Sequence, residues 1–453
     1  MSEVTKRVAR NTAIRAAAEL VGKFATLALM AALARKEGAA ALGLFVFALA
    51  WSELASTPID MGFDRHFLRL VARDKAQMAG AFYNVLALKL ARAIPLVAIS
   101  WTLVWALGYE GEERATVYLL TVTYLLESVR WTLFSIFTGH ERADLIGRVL
   151  VTQRLLSGSV GLVAVLLGYG IVGVAVVYVV AAAVAVALGF WLLRGSIGIP
   201  PFALPEGPRA ELRRQSLAFG AQEVLSAGIA RVDAVLLAVI ATSTVVGLYG
   251  AAYRLLEATI FLSTALLGAF TAMFAYLDEH SEPTIQAVFS RALKLSYLLL
   301  LPCAIPLAVL PGPILELFFG DEFGPGADAL RLLAPTVVVL GNVLLTGSLI
   351  ASRLDPKVLL RCFIVAFAVN LVVNLALIPP LGAAGAALGM LLTEIVLAVI
   401  MLRLATRAVG RPPLLESFGA ASIAGAAMAL VMLPVDAHPI PCLLYTSPSP
   451  RDS

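Results

Sequence analysis

Apolar residues run along this chain in blocks, each closed by a short polar stretch. A helix that crosses a bilayer needs about 20 mostly apolar residues. On that rule the pattern predicts spans at 13–34, 41–62, 84–108, 115–138, 150–169, 171–193, 216–240, 246–276, 292–311, 329–351, 358–379 and 383–405. A thirteenth is expected from 415 to 434. The stretch 246–276 is longer than one crossing needs and predicts a helix that extends beyond the bilayer. No stretch between spans can fold alone. The longest, 194–215, is Pro-rich and basic and reads as a cytoplasmic linker. The expected fold class is an all-α polytopic membrane protein.

Composition agrees with this and charge adds an orientation. The 453 residues are 60% hydrophobic and 14% charged, with mean hydropathy +0.90. Soluble domains are closer to half apolar and a quarter charged. The net charge of +4 matters less than its distribution. Cations gather at the N-terminus (Lys6, Arg7, Arg10, Arg15) and after even-numbered spans: Arg65, Arg69, Arg73 and Lys75; Arg142 and Arg148; Arg194, Arg209, Arg213 and Arg214; Arg291 and Lys294; Arg353, Lys357 and Arg361; Arg403, Arg407 and Arg411. Connections after odd-numbered spans carry almost none, with Arg35, Lys36 and Arg114 as exceptions. The stretch 311–328 has Glu316, Asp321 and Glu322 but no Lys or Arg. The positive-inside rule then places the N-terminus in the cytoplasm.

Several function classes are disfavoured. The three cysteines, Cys303, Cys362 and Cys442, form no CxxC, so neither a disulfide framework nor a zinc site is indicated. GxxxxGK[ST], HExxH and GxSxG are all absent. No cofactor, metal or nucleic-acid partner is expected. A proton or sodium gradient, or a consumed product, is left to drive any uphill transport. The last twelve residues, CLLYTSPSPRDS (442–453), differ from everything before them. Their back-translation resembles the adapter of a transposase-based sequencing library, so they are read as an artefact, with the natural chain cut near Pro441.

An internal repeat organises the spans. Offset by 204 residues, 10–54 aligns with 214–258 without a gap. Arg10 meets Arg214, Glu19 meets Glu223, Gly43-Leu44-Phe45 meets Gly247-Leu248-Tyr249, and Glu53 meets Glu257. Apolar matches are cheap between membrane helices; matched carboxylates are not. The repeat starts at the first and seventh spans, so each unit holds six. Such parallel repeats are related by an axis along the membrane normal, with substrate sites between them. The expectation is two six-helix bundles, 1–193 and 216–405, around a central cavity, followed by the start of a truncated helix pair over 406–441.

Three stretches carry a family resemblance: ARKEGAAALGLFVFALAWSELASTPIDMGFDRHFLRLVARD (34–74), RVDAVLLAVIATSTVVGLYGAAYRLLEA (231–258) and NLVVNLALIPPLGAAGAALGMLLTE (370–394). They resemble the oligosaccharide flippases of bacterial polysaccharide biosynthesis, in the superfamily that includes multidrug/toxin extrusion transporters and lipid II flippases. The resemblance implies a lipid-linked oligosaccharide moved from the cytoplasmic to the outer leaflet of the inner membrane of a bacterium or archaeon. It also implies membrane lipids and other polysaccharide assembly proteins as partners, and no enzymatic step.

Ionisable groups inside spans are expensive and are functional hypotheses by default. A diphosphate head would need cations in a wet cavity, and Arg can clamp phosphate bidentately. The candidates are Arg254, Lys89, Arg92, Lys23, Arg130 and Arg231, with Glu19, Glu53, Glu257 and Asp233 as ion-coupling or structural partners. Glu19–Lys23, Glu127–Arg130 and Arg254–Glu257 have helical i,i+4 or i,i+3 spacing and serve equally as structural ion pairs. Lys89 and Arg92 have no acidic neighbour at that spacing, which favours them as substrate contacts, although either can snorkel toward an interface. Arg254 is preferred because its repeat counterpart is Ala50, giving a one-sided site. Asp60 and Asp64 beside Arg65 read as a helix-end cluster, Asn370 and Asn374 as interhelical hydrogen bonders, and Pro302, Pro306, Pro311 and Pro313 as breaks in or ends of the ninth span. A cation-coupled multidrug exporter would want an acidic cavity where a flippase wants a net positive one. A glycan polymerase or ligase would want a large outer loop bearing Arg or His.

Overall fold

In lipid, backbone N–H and C=O groups must be satisfied within the segment, so apolar runs of this length have to form helices. The computed structural model describes residues 3–75, 78–200, 209–277, 282–410, 419, 422 and 424–432, and among these there is no strand. The first half comprises α1 (Glu3–Asp60), α2 (Phe63–Arg73), α3 (Met78–Ala106), α4 (Gly111–Gly139), α5 (Ala143–Leu166) and α6 (Gly170–Ser196). The second comprises α7 (Arg209–Ile240), α8 (Ser243–Leu277), α9 (Glu282–Val309), α10 (Pro311–Phe319), a 3-10 turn (Asp321–Gly326), α11 (Ala327–Arg353), α12 (Pro356–Leu381) and α13 (Ala383–Val409). Among the described residues nine helices are long and apolar enough to cross a membrane. Helices α4 and α7 match them in length, at 29 and 32 residues, but carry more charge.

Helix α1 is two spans. Gly38 sits at φ 84° and ψ 178°, which breaks the helix. The first span runs alongside α5 in the same sense: Gly22 lies on Arg154, Ala25 on Gly158, Leu29 on Gly161, and Lys36 reaches Leu166. The second runs alongside α4, with Ser52 on Val117, Tyr124 on Glu53 and Thr132 on Asp64. Helices α4 and α5 are joined by a tight turn, so the two spans of α1 are antiparallel and the chain reverses at Gly38. In the second half the equivalent position, 204 residues on, is Thr242, in the break between α7 and α8.

The offset reappears as reciprocal contacts. A methyl group on Gly43 would overlap the carbonyl oxygen of Ser243, and one on Gly247 would overlap the carbonyl oxygen of Ala39. Residues 39 and 43 correspond to 243 and 247. Val46 packs on Gly250, its own counterpart, at 2.6 Å from where a methyl would stand. These are the contacts that a two-fold axis along the helices would produce. They bring the start of the second span and the start of α8 together backbone to backbone.

This closed end lies on the face opposite the N-terminus, and α10 with its 3-10 turn covers it. The side chains of Leu315, Phe319 and Phe323 are buried there with Leu42, Phe45 and Tyr249. Two polar ties cross between the halves. Arg35 donates to the carbonyls of Phe318, at 3.0 Å, and Leu317 at the end of α10. The Glu322 carboxylate accepts from Ala39 N–H at 3.2 Å, capping the second span. Lys36 donates to the carbonyls of Val165 and Leu166, both at 2.7 Å, capping the C-terminus of α5. Arg35 and Lys36 therefore serve as caps on helix ends, where cations are favoured by the unpaired carbonyls.

One expectation is corrected and another agrees with the structure. Pro302 and Pro306 do not break the ninth span, because α9 continues through both. Pro311 opens α10 at its first turn, where a missing N–H costs nothing. The long eighth span is a continuous 35-residue α8, about 52 Å at 1.5 Å per residue, well beyond a hydrocarbon core of about 30 Å. Helix α2 is amphipathic and buries Phe63, Phe67 and Val71 against Phe82 and Phe137. Asn370 Nδ2 donates to Thr393 Oγ1 at 3.1 Å and joins α12 to α13. Residues 424–432 are helical and Gly425 lies on Leu301 and Ile305 of α9. The linker positions 201–208 and the tail 442–453 fall outside the described residues. Large apolar side chains such as Leu90, Ile94, Trp105 and Trp191 face outward, as a lipid-facing surface requires.

Gly43→Leu should prop the closed end apart. Overpacking costs about 1–3 kcal/mol, so the detergent-solubilised protein should melt at lower temperature. A cysteine placed at Leu42 should become reactive to a water-soluble maleimide. An unchanged melting temperature together with an unreactive cysteine would show that the backbone contact does not seal this end.

Candidate cavity between the two halves

Below the seal the halves diverge around a cavity of about 870 Å³. It runs from Leu49 and Tyr178 near the closed end to Leu68, Thr138 and Ile146 at the face that carries the N-terminus. Its walls come from α1, α2, α4, α5 and α6 on one side and α7 and α8 on the other.

The inner end is an ionic network that joins the two halves. Arg231 of α7 donates to Glu53 at 2.8 Å and lies 3.5 Å from Glu257. These glutamates are the matched pair of the 204-residue offset, so one guanidinium bridges two equivalent carboxylates. Glu257 also meets Arg254 at 2.6 Å and Lys23 at 3.3 Å, and Glu53 accepts from Tyr124 Oη at 3.0 Å. Arg231 lies 5.5 Å from the Tyr253 ring centroid. The Arg231–Glu53 and Lys23–Glu257 pairs both cross between the halves. Three cations thus face two carboxylates here. At low dielectric such pairs hold strongly and leave a surplus of positive charge.

Other candidates are placed elsewhere. Lys89 is 4% exposed and does not line the cavity. It is held by Asp60 at 2.8 Å and Asp64 at 2.7 Å, and donates to the Ser128 carbonyl and Thr132 Oγ1, both at 2.9 Å. Its acidic neighbours come from the end of α1 and the start of α2, which spacing along its own helix cannot reveal. This corrects the reading of Lys89 as free for substrate, and gives the helix-end cluster of Asp60 and Asp64 its cation. Arg65 reaches Glu223 of α7 instead, at 2.7 Å, across the mouth of the cavity. Arg130 is buried against Phe134 and Trp131, 4.7 and 5.0 Å from their centroids, with Glu127 at 3.5 Å. Arg92 lies on the Phe63 ring at 4.5 Å. Asp233 is buried behind the wall, accepting from Tyr249 Oη and, at 2.7 Å, from Ala234 N–H. Lys23 pairs with Glu257 across the halves, and the expected Glu19–Lys23 pair falls outside the described residues. The Glu19 side chain lies outside the described residues.

The lining carries four guanidiniums (Arg65, Arg154, Arg231, Arg254) and six carboxylates (Glu53, Asp60, Asp64, Glu127, Glu223, Glu257). The expected net positive cavity is corrected to a local one. Positive charge exceeds negative at the inner end, where Lys23, beside the wall, joins Arg231 and Arg254 against Glu53 and Glu257, while Lys89 and Arg130 pair with Asp60, Asp64 and Glu127 from behind it. Sequence reading missed Arg154. The predicted fifth span started at 150, which put Arg154 near its edge; α5 starts at Ala143 and places it mid-helix.

Comparison with known proteins identifies this architecture. Residues 8–274 match the family model described as Polysaccharide biosynthesis protein. The chain is 23% identical over 363 residues to a protein named probable low-salt glycan biosynthesis flippase Agl15 from Haloferax volcanii, covering 78% of this chain and 74% of that one. A second Haloferax volcanii protein, named probable flippase AglR, is 24% identical over 226 residues, 47% of this chain and 46% of that one. In fold, the MATE multidrug transporter DinF-BH superimposes with TM-score 0.69 at 14% identity, over 90% of this chain and 97% of that one. The chain is a multi-pass membrane protein that belongs to the polysaccharide biosynthesis protein family.

Proposed function

We propose that this protein is a flippase that carries a polyprenyl-diphosphate-linked oligosaccharide across the cytoplasmic membrane, from the cytoplasmic to the outer leaflet, for cell-surface polysaccharide assembly. The observation that carries this reading is the positive surplus at the inner end of a cavity closed on one face, in a chain of this family. About 870 Å³ is enough for a diphosphate and the first sugars, in the range of ordinary ligand sites. The lipid tail stays among the outward-facing apolar side chains. With the N-terminus in the cytoplasm, the cavity faces the cytoplasm.

Substrate binding on this reading is an anion exchange. Glu53 and Glu257 hold Arg231, Arg254 and Lys23 in place while the site is vacant, which avoids stranding unpaired charge in a low-dielectric region. A diphosphate offers the same cations stronger bidentate partners. Sharing them weakens the Arg231–Glu53 and Lys23–Glu257 ties between the halves, and the halves are then free to rock about the substrate. A proton or sodium gradient biases the cycle, with the cavity carboxylates as its acceptors.

A second reading, a cation-coupled exporter of organic cations, is favoured by the six carboxylates of the lining. Translocation in proteoliposomes separates the two. Passage of a lipid-linked oligosaccharide supports the flippase. Export of an organic cation with no glycan-lipid passage supports the exporter.

In the same assay Arg254→Ala should slow glycan-lipid translocation roughly tenfold or more, the loss of a charge-assisted contact of about 1.5–3 kcal/mol. Unchanged transport would remove Arg254 from the site. Lys89→Met should behave differently. It leaves Asp60 and Asp64 buried without their cation, a loss of about 3–5 kcal/mol. The expected result is a lower melting temperature and yield, with transport per folded molecule retained. A stable Lys89→Met protein with abolished transport would return Lys89 to the substrate path.

A further inference from the structure

We propose that Arg154 is a specificity-determining residue of this cavity: it takes the second phosphoryl group of the lipid carrier, so the site selects a diphosphate over a monophosphate. The inference rests on the flippase reading and sharpens its substrate class.

Arg154 stands apart from the other cavity cations. Arg65, Arg231 and Arg254 each have a carboxylate within 4 Å, as do Lys23, Lys89 and Arg130 behind or beside the wall. Among the described residues, Arg154 has none. Glu127, across from it on α4, is already engaged by Arg130 at 3.5 Å and by Gln153 Nε2 at 3.0 Å. Arg154 also lies within electrostatic reach of Arg130, a like charge. A mid-span guanidinium with no carboxylate partner among the described residues is costly, and costly intramembrane charge is by default a functional hypothesis.

Its position gives the use. Gly22 of α1 makes room for the side chain: a methyl there would stand 2.8 Å from Arg154 Cγ. Tyr178 of α6 lines the same cavity as Arg154 and Arg254. Arg154 projects from the first half of the molecule and Arg254 from the second. A monophosphate has one phosphoryl group and can satisfy one wall. A diphosphate has two and can engage both walls at once, each with a charge-assisted contact.

Binding of two probes to the purified full-length chain tests this: geranylgeranyl diphosphate and geranylgeranyl monophosphate. The wild type should prefer the diphosphate by about tenfold or more. Arg154→Gln should weaken diphosphate binding roughly tenfold to a hundredfold, leave the monophosphate within about twofold, and so erase the preference. Arg154→Lys should keep part of it. The melting temperature of Arg154→Gln should hold, because no described carboxylate loses its partner. If Arg154→Gln weakens both probes equally, or neither, the assignment is wrong. If Arg254→Gln weakens both probes while Arg154→Gln changes nothing, the flippase reading survives and this inference falls. If the wild type binds neither probe, both fall.

Discussion

Two helices can touch backbone to backbone only where neither has a side chain, and this molecule places such a contact at the point where its halves meet. Gly43 and Gly247 lie 204 residues apart in the chain, one in each half, and each accepts a carbonyl oxygen of the other helix into the space a methyl would fill. The closed end of the cavity, the angle at which the halves diverge below it, and the convergence of Glu53 and Glu257 on Arg231 all follow from that crossing. Helices held at one end and spread at the other make a cavity without any dedicated lid.

Within that frame the ionic groups are matched unevenly. Behind the wall Lys89 has two carboxylates, a carbonyl and a hydroxyl, whereas Arg130 Nε and Nη1 and Glu394 Oε2 are buried with no hydrogen-bond partner among the described residues. Along the cavity the balance shifts from acidic at the mouth to basic at the inner end. Such a gradient of compensation is a more informative reading of the cavity than its total charge. The mouth alone, with Asp60, Asp64 and Glu223 near Arg65, would suggest a site for cations.

The sequence made the number, length and order of the spans legible, because hydropathy and the alternation of basic connections report directly on the bilayer. The 204-residue offset pointed to Glu53 and Glu257 as a pair, since a buried carboxylate is rarely repeated by chance. Partners across helices were not legible. Lys89 looked free because Asp60 and Asp64 approach from α1 and α2, and Arg154 was lost at the edge of a span whose true start lay seven residues earlier. Arg35 and Lys36 looked like exceptions to the charge rule until the helix ends they cap were in view. Helical spacing describes one helix; the chemistry here lies between helices.

The cap that Glu322 places on Ala39 has a consequence for the face it closes. Drawing the halves apart there would bare an amide N–H at the head of a membrane helix, two carbonyls at the end of α10, and the charges of Glu322 and Arg35. Hydrocarbon offers none of these groups a partner, so water must arrive as they separate. Opening this end is therefore a wetting event as well as a rotation, and its rate will be set by how readily water penetrates between Phe319, Phe323 and Phe45.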